Sequence, residues 1–227
     1  MKKSLFLLLL LMLASCSKEP SQTPLEAPSE PSIDTQASSQ AQAPWLENIH
    51  YIVLDQPASE TPQVQEFFSF WCPHCHNFEP IVALIKDQLD AGTAFKKVHV
   101  DFMGFTSKEI QQSASQAMLI ADYMGKEDVI NSAIFDHIHV EKKEIAGLAD
   151  IEPLFLANQV SAQDFATAQA SPELAALVQE HSDTFTQYRS NIQSVPTFIV
   201  NGKYQVKFTQ EMDINDMVNL IAWLTTQ

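Results

Sequence analysis

Gln63-Val64-Gln65-Glu66-Phe67-Phe68-Ser69-Phe70-Trp71-Cys72-Pro73-His74-Cys75 runs from an apolar stretch into a closely spaced cysteine pair. Its first nine residues are apolar or aromatic on both alternating faces, which predicts a central strand covered on both sides. Glu66 is the misfit, because it shares a face with Val64, Phe68 and Phe70. An ionised, unpaired carboxylate in such a strand is costly, so Glu66 is expected to be protonated or to have a purpose.

A helix is expected from about Cys72, with Phe78, Ile81, Val82, Ile85 and Leu89 on its core face. Pro80 should kink it, and Asp90-Ala91-Gly92 should end it. Cys72 then lies where unsatisfied backbone N–H groups and the positive end of the helix dipole favour a thiolate. Pro73 suits the first turn, since it has no N–H to leave unpaired. Cys75, one turn on, can close a small disulfide with Cys72, and His74 adds positive potential beside it. Whatever stabilises the Cys72 thiolate stabilises the reduced form, so the disulfide is given away readily. Two other readings compete. As half of a zinc site the motif is poor: there is no second CxxC, and Cys72, His74, Cys75 and His76 are too close in sequence to surround one metal tetrahedrally. No metal is expected. As a passive crosslink the pair would close too small a loop to gain much. The remaining histidines, His50, His99, His137, His139 and His181, read as scattered surface or satisfied core residues.

The chain has 227 residues with only 3 cysteines, so there is no structural disulfide framework. Its third cysteine is explained by the N-terminus. Met1-Lys2-Lys3 is basic, and the apolar run after it is about ten residues, against the roughly 20 a membrane-spanning helix needs. It ends in Leu13-Ala14-Ser15-Cys16, which resembles the bacterial lipobox. That resemblance implies cleavage before Cys16 and acylation of it, giving a stable membrane anchor; an ordinary signal peptide with a chance cysteine is the competing reading. Ser17 after the cysteine tilts the expectation towards the outer membrane. Residues 17 to 45, rich in Pro, Ser, Gln and Ala, read as a tether. The net charge of −15 argues against binding driven by attraction to nucleic acid or anionic lipid.

Ala94 to Asp101 reads as a second strand of this region, and residues 105 to about 180 as several short helices. Asn201-Gly202-Lys203 between Thr197-Phe198-Ile199-Val200 and Tyr204-Gln205-Val206-Lys207-Phe208 is a hairpin signal. Asp213 can cap a last helix whose apolar face includes Met217, Leu220, Ile221 and Leu224. The pattern is α/β with a helical block inserted.

Glu66 through Cys75 closely resembles the active-site strand and motif of the DsbA family of bacterial periplasmic thiol oxidases, members of the thioredoxin superfamily. The resemblance continues at His99-Val100-Asp101-Phe102-Met103-Gly104 and at Val195-Pro196-Thr197-Phe198-Ile199-Val200-Asn201-Gly202-Lys203-Tyr204. It implies a thioredoxin-like fold with an inserted helical domain: 1–15 signal peptide, 16–45 lipidated cysteine and tether, 46–104 and 183–227 the two thioredoxin-like parts, 105–182 the insertion. It implies a cis Val195-Pro196 peptide beside the cysteines, where extended substrates pair, and a proton-moving role for Glu66. It implies donation of a disulfide to exported unfolded proteins in the periplasm, with no cofactor besides the Cys72–Cys75 disulfide, and reoxidation of a monomer by a DsbB-like membrane quinone reductase. The lipobox, Trp71 before the first cysteine and the poorly matching helical block depart from the usual pattern. A reductase or isomerase of the same superfamily is the alternative activity. It is disfavoured by the lack of room for a dimerisation domain and by Val195 where isomerases favour Thr. A non-catalytic lipoprotein binding a metal or partner is the other alternative.

Overall fold

The computed structural model describes residues 45–227; the expectations for the leader, Cys16 and most of the tether lie outside them. Five strands form one sheet: β1 (Tyr51–Val53), β2 (Gln63–Phe68), β3 (Ala94–His99), β4 (Thr197–Val200) and β5 (Tyr204–Val206), in the order β1-β5-β4-β2-β3. β2 pairs in parallel with β3 and antiparallel with β4, so the apolar stretch does run through the interior of the sheet. Phe67, Phe68 and Phe70 are fully buried.

Helix α1 (Pro73–Gln88) comes directly after β2, and the parallel β2–α1–β3 crossover brings the chain back alongside β2. Val82 and Ile85 of α1 pack with Val64, Phe198 and the last helix, α7 (Ile214–Leu224), on one core. The helical block comprises α2 (Lys108–Tyr123), α3 (Glu127–His139), α4 (Leu148–Ala157), α5 (Ala162–Gln169) and α6 (Pro172–Tyr188). It builds a second core continuous with Phe67, Phe68, Phe70, Cys72 and Cys75. The cysteine pair therefore sits where β2 hands over to α1, against the helical block. No described helix is long and apolar enough to cross a membrane.

Several local expectations needed adjustment. α1 ends at Gln88 with Leu89 as an extended cap, and Gly92 (φ 97°) instead serves the turn into β3, where the Thr93 N–H donates to the Asp90 carbonyl. β3 stops at His99 and β5 at Val206, short of Asp101 and Phe208. The helices of the block are not all short, since α2 has 16 residues and α6 has 17 and runs past residue 182. On α7, Val218 is buried while Met217 is only half-buried. The hairpin turn does use positive φ at Asn201 and Gly202, and Asp213 caps α7 in a capping box with Asp216.

Candidate active site

Cys72 is the N-cap of α1, in extended conformation, and its Sγ accepts a hydrogen bond from the Cys75 backbone N–H at 3.3 Å. A serine or threonine oxygen usually fills this position; here it is a sulfur, which can ionise. The Cys72 pKa is pushed down to about 6. The Cys75 thiol donating to its sulfur contributes most, followed among the favourable contacts by the backbone N–H groups of Cys75 and His74 and by the His74 charge. Burial opposes these and is outweighed. Cys75 moves the other way, far above the range of a free thiol, first because its proton is shared with Cys72 and then because it is fully buried. The two thiols are thus sharply unequal, with the outer one ionised near neutrality and the inner one protonated. Both are reduced in this structure.

Pro73 and His74 lie exposed in the first turn of α1. The Val195–Pro196 peptide is cis, and the Val195 carbonyl oxygen lies 3.5 Å from Cys72 Sγ. Residues 123 positions apart in sequence therefore meet at the reactive sulfur. Pro196 leads straight into β4, which holds that loop in place.

Beneath the cysteines, Glu66 is completely buried. Its Oε2 accepts a 2.6 Å hydrogen bond from the Lys97 Nζ, and Lys97 also reaches Glu79 Oε1 at 2.9 Å. The purpose of the misfit on β2 is visible in the pairing: Glu66 and Lys97 are register partners on β2 and β3. Burial raises the Glu66 pKa, while the Lys97 charge pulls against that shift. Burial also works against the Lys97 ammonium, but Glu66 and Glu79 outweigh it and keep Lys97 charged. Glu66 Oε1 has no hydrogen-bond partner. The carboxylate and Cys75 sense each other electrostatically, so Glu66 has one oxygen free to take a proton and one tied to a cation. Lys97 and Glu79 both line a cleft of about 280 Å³, so the cation paired with Glu66 borders it although Glu66 itself does not.

Lys97, Glu79, His139 and Ser69 join the site without having stood out in the sequence. The signal for Lys97 is a lysine pair inside an otherwise strand-like segment. Its pairing with Glu66 needs the strand register. His139 is not a scattered histidine: its Nε2 is 2.7 Å from the Phe70 carbonyl oxygen. His99 is buried but not fully satisfied, since Nδ1 meets Ser115 Oγ at 2.9 Å and Nε2 has no partner. Among the described residues, no group of three or more His, Cys, Asp or Glu side chains could hold a metal ion.

A mixed sheet, a cysteine capping the helix after its central strand, a second cysteine one turn on and a cis proline beside the first sulfur together define a thioredoxin-like thiol:disulfide oxidoreductase. A family model described as Thioredoxin matches residues 56–222. The chain is 35% identical over 170 residues to the thiol:disulfide interchange protein DsbA of Salmonella typhimurium, covering 74% of this chain and 78% of that protein. It is 33% identical over 204 residues to DsbA of Pectobacterium carotovorum, covering 84% and 93%. The disulfide oxidoreductase DsbA of Proteus mirabilis superimposes with a TM-score of 0.70 at 26% identity, covering 81% of this chain and 98% of that one. A cysteine-to-serine variant of that protein, in complex with a non-covalently bound peptide, PWATCDS, gives 0.72, covering 82% and 100%. The chain belongs to the DsbA family of thiol:disulfide interchange proteins.

Proposed function

We propose that this chain oxidises exported proteins by giving them the Cys72–Cys75 disulfide. The observation that carries the direction is the inequality of the two thiols. A low Cys72 pKa stabilises the reduced form and so makes the disulfide a strong donor. In the first step a substrate thiolate attacks Cys72 Sγ of the disulfide. A bond forms between substrate and Cys72, the Cys72–Cys75 bond breaks, and Cys75 leaves with the electron pair. Its high proton affinity means that it must take up a proton at once. Glu66, with one free oxygen and Lys97 behind it, is the group suited to supply that proton and recover another from solvent. In the second step another substrate thiolate attacks the substrate sulfur of the mixed disulfide, and Cys72 leaves as its stabilised thiolate. The substrate loses two electrons and two thiol protons, and the protein becomes the dithiol. No further cofactor is needed for either step.

Val195 and Pro196 border the Cys72 sulfur, and this loop is where an extended substrate would lie. The non-covalent peptide complex of Proteus mirabilis DsbA supports such peptide docking in this family. The finer assignments come from the sequence: export to the periplasm, acylation at Cys16 with an outer-membrane preference, action as a monomer, and reoxidation by a DsbB-like membrane quinone reductase.

Two measurements test the reading. The equilibrium constant of the cysteine pair with glutathione should favour the reduced protein strongly, and a pair as reducing as cytosolic thioredoxin would overturn the oxidase direction. Cys75→Ala, expressed with its leader, should accumulate mixed disulfides between Cys72 and exported proteins. Their absence in an oxidising periplasm would remove the substrate class.

A further inference from the structure

The peptide unit between Phe70 and Trp71 links the end of β2 to the cysteine that caps α1, and it is held at both ends. The Trp71 N–H donates to Ser69 Oγ at 3.2 Å, and the next amide, that of Cys72, donates to the Ser69 carbonyl at 3.0 Å. On the other side the Phe70 carbonyl oxygen meets His139 Nε2 at 2.7 Å. A carbonyl can only accept, so Nε2 of His139 carries the proton in this contact. His139 is the last residue of α3 and belongs to the helical block, 69 positions away in sequence. Its ring also stacks on His76, the residue after Cys75, with centroids 4.9 Å apart and planes within 10°. One side chain of the helical block thus touches the segment just before the CPHC motif and the segment just after it. Phe135, one turn earlier on α3, packs against both Phe70 and His76 and backs this arrangement.

We propose that His139 is a positioning residue for the redox pair: by holding the Phe70 carbonyl and the His76 ring together, it lets the helical block set how Cys72 is presented to the amides at the start of α1. This deepens the exchange reaction assigned above and rests on it. The mechanism is geometric. The Cys72 thiolate is stabilised by backbone N–H groups only while its sulfur stays on their axis, and such bonds weaken steeply with misalignment. The Phe70–Trp71 peptide lies one peptide before Cys72, in the segment that delivers Cys72 to the start of α1. Releasing its carbonyl leaves a buried acceptor without a partner and frees the peptide to rotate. The reactivity of the pair can then be tuned from the helical block without any change within CPHC.

The test uses the full chain with three substitutions. His139→Gln keeps an N–H donor at nearly the same reach, while His139→Leu and His139→Met keep bulk but no donor. Each reduced protein is titrated through the thiolate absorbance of Cys72, and each is equilibrated with glutathione. His139→Leu and His139→Met should raise the Cys72 midpoint by about half a unit or more, with a matching shift of about threefold or more towards the disulfide form. His139→Gln should stay within about twofold of the parent constant. Donor-free variants that match the parent in both readouts would overturn the proposal. So would a His139→Gln variant that shifts as far as His139→Leu. If His139→Leu does not fold, as judged by thermal unfolding, His139→Met decides. A parent protein that fails to exchange with glutathione would instead remove the exchange reaction itself, so the two failures are distinguishable.

Discussion

Helices α1 and α6 begin with the same local grammar. Each has a β-region N-cap followed by proline, Cys72-Pro73 in one and Ser171-Pro172 in the other. In each the cap side chain accepts from the amide three residues on, at 3.3 Å for Cys72 Sγ and 3.0 Å for Ser171 Oγ. They differ in the charge of the first turn. That of α6 carries Glu173, whose charge meets the helix dipole, and every other described helix has a carboxylate there too: Glu109, Glu127 with Asp128, Asp150, Asp164 and Asp216. α1 alone among the described helices has none. In a chain of net charge −15 that is a pointed omission. The positive end of α1 is left for the one anion that matters, the Cys72 thiolate. A cap that merely stabilises a helix and a cap that does chemistry differ by one atom type and one missing acid.

The largest effect is expected when the special cap is turned into the ordinary one. Cys72→Ser retains a capping oxygen, so the fold should persist while disulfide exchange falls to background in an assay with a reduced model substrate. The same variant isolates the pH linkage. Cys72 titrates near 6 in the folded reduced protein, against an ordinary thiol value of 9.0. Its thiolate therefore contributes stability that is fully present above about pH 9 and lost as pH falls through about 6. Denaturant unfolding should show the reduced parent gaining on Cys72→Ser across that window, by at most ~4 kcal/mol and by less once solvent screening near the surface end of the site is allowed for. A gap that is flat with pH would mean that the cap does not hold a thiolate.

A second comparison lies one layer deeper. α6 rests on apolar residues, with Leu174 and Tyr188 in the core, whereas α1 and β2 sit over the Glu66–Lys97–Glu79 cluster. Lys97→Met would leave Glu66 buried with no cation. Removing one partner of such a pair costs about 3 kcal/mol or more, so chemical unfolding should show a loss of that order together with a slower first exchange step, in which Cys75 leaves and is protonated. Glu66→Gln removes the proton site but keeps a polar group, and should slow formation of the mixed disulfide with a smaller change in stability. If Glu66→Gln forms the mixed disulfide at the parent rate, Glu66 is structural only.

His74→Asp would give α1 the acid that the other helices have. It should raise the Cys72 pKa by about one unit and move the glutathione equilibrium about tenfold towards the disulfide, making a weaker oxidant. An unchanged equilibrium would mean that the empty first turn of α1 is not what tunes the sulfur.

How much of this is legible in the sequence depends on the range of the interactions. The cap, the first-turn proline and the apolar strand are all local, and they can be read from Gln63 to Cys75. The family resemblance extends the reading to Val195 and Pro196. Register and docking are beyond it. Glu66 is visible as an anomaly, but Lys97 becomes its partner only through the parallel alignment of β2 with β3. Asn201 reads as a turn residue, yet its side chain also donates to the Leu224, Thr225 and Gln227 carbonyls at the end of α7 and accepts from the Gln63 amide, tying the hairpin to α7 and β2. His139 looks like one of several unremarkable histidines, because nothing in the order of residues says that α3 ends beside Phe70. Gly92 misleads for the opposite reason: the local signal for a helix end is real, but Leu89 has already left the helix and the glycine serves the next turn.

The smallest effect belongs to the ordinary cap, and it calibrates the rest. Ser171→Ala removes the hydrogen bond from the Leu174 amide and should cost about 1 kcal/mol in denaturant unfolding. It lies far along the chain from the cysteines and touches none of the residues that orient them. The Cys72 titration and the glutathione equilibrium should therefore stay at parent values while stability falls. That dissociation gives the two caps their separate meanings: at Ser171 the bond to the third amide supports a helix, and at Cys72 the same bond supports a charge. A Ser171→Ala protein whose redox equilibrium moved with its stability would show that the helical block transmits general loosening to the active site. The effect expected of His139→Leu would then have to be measured against that background.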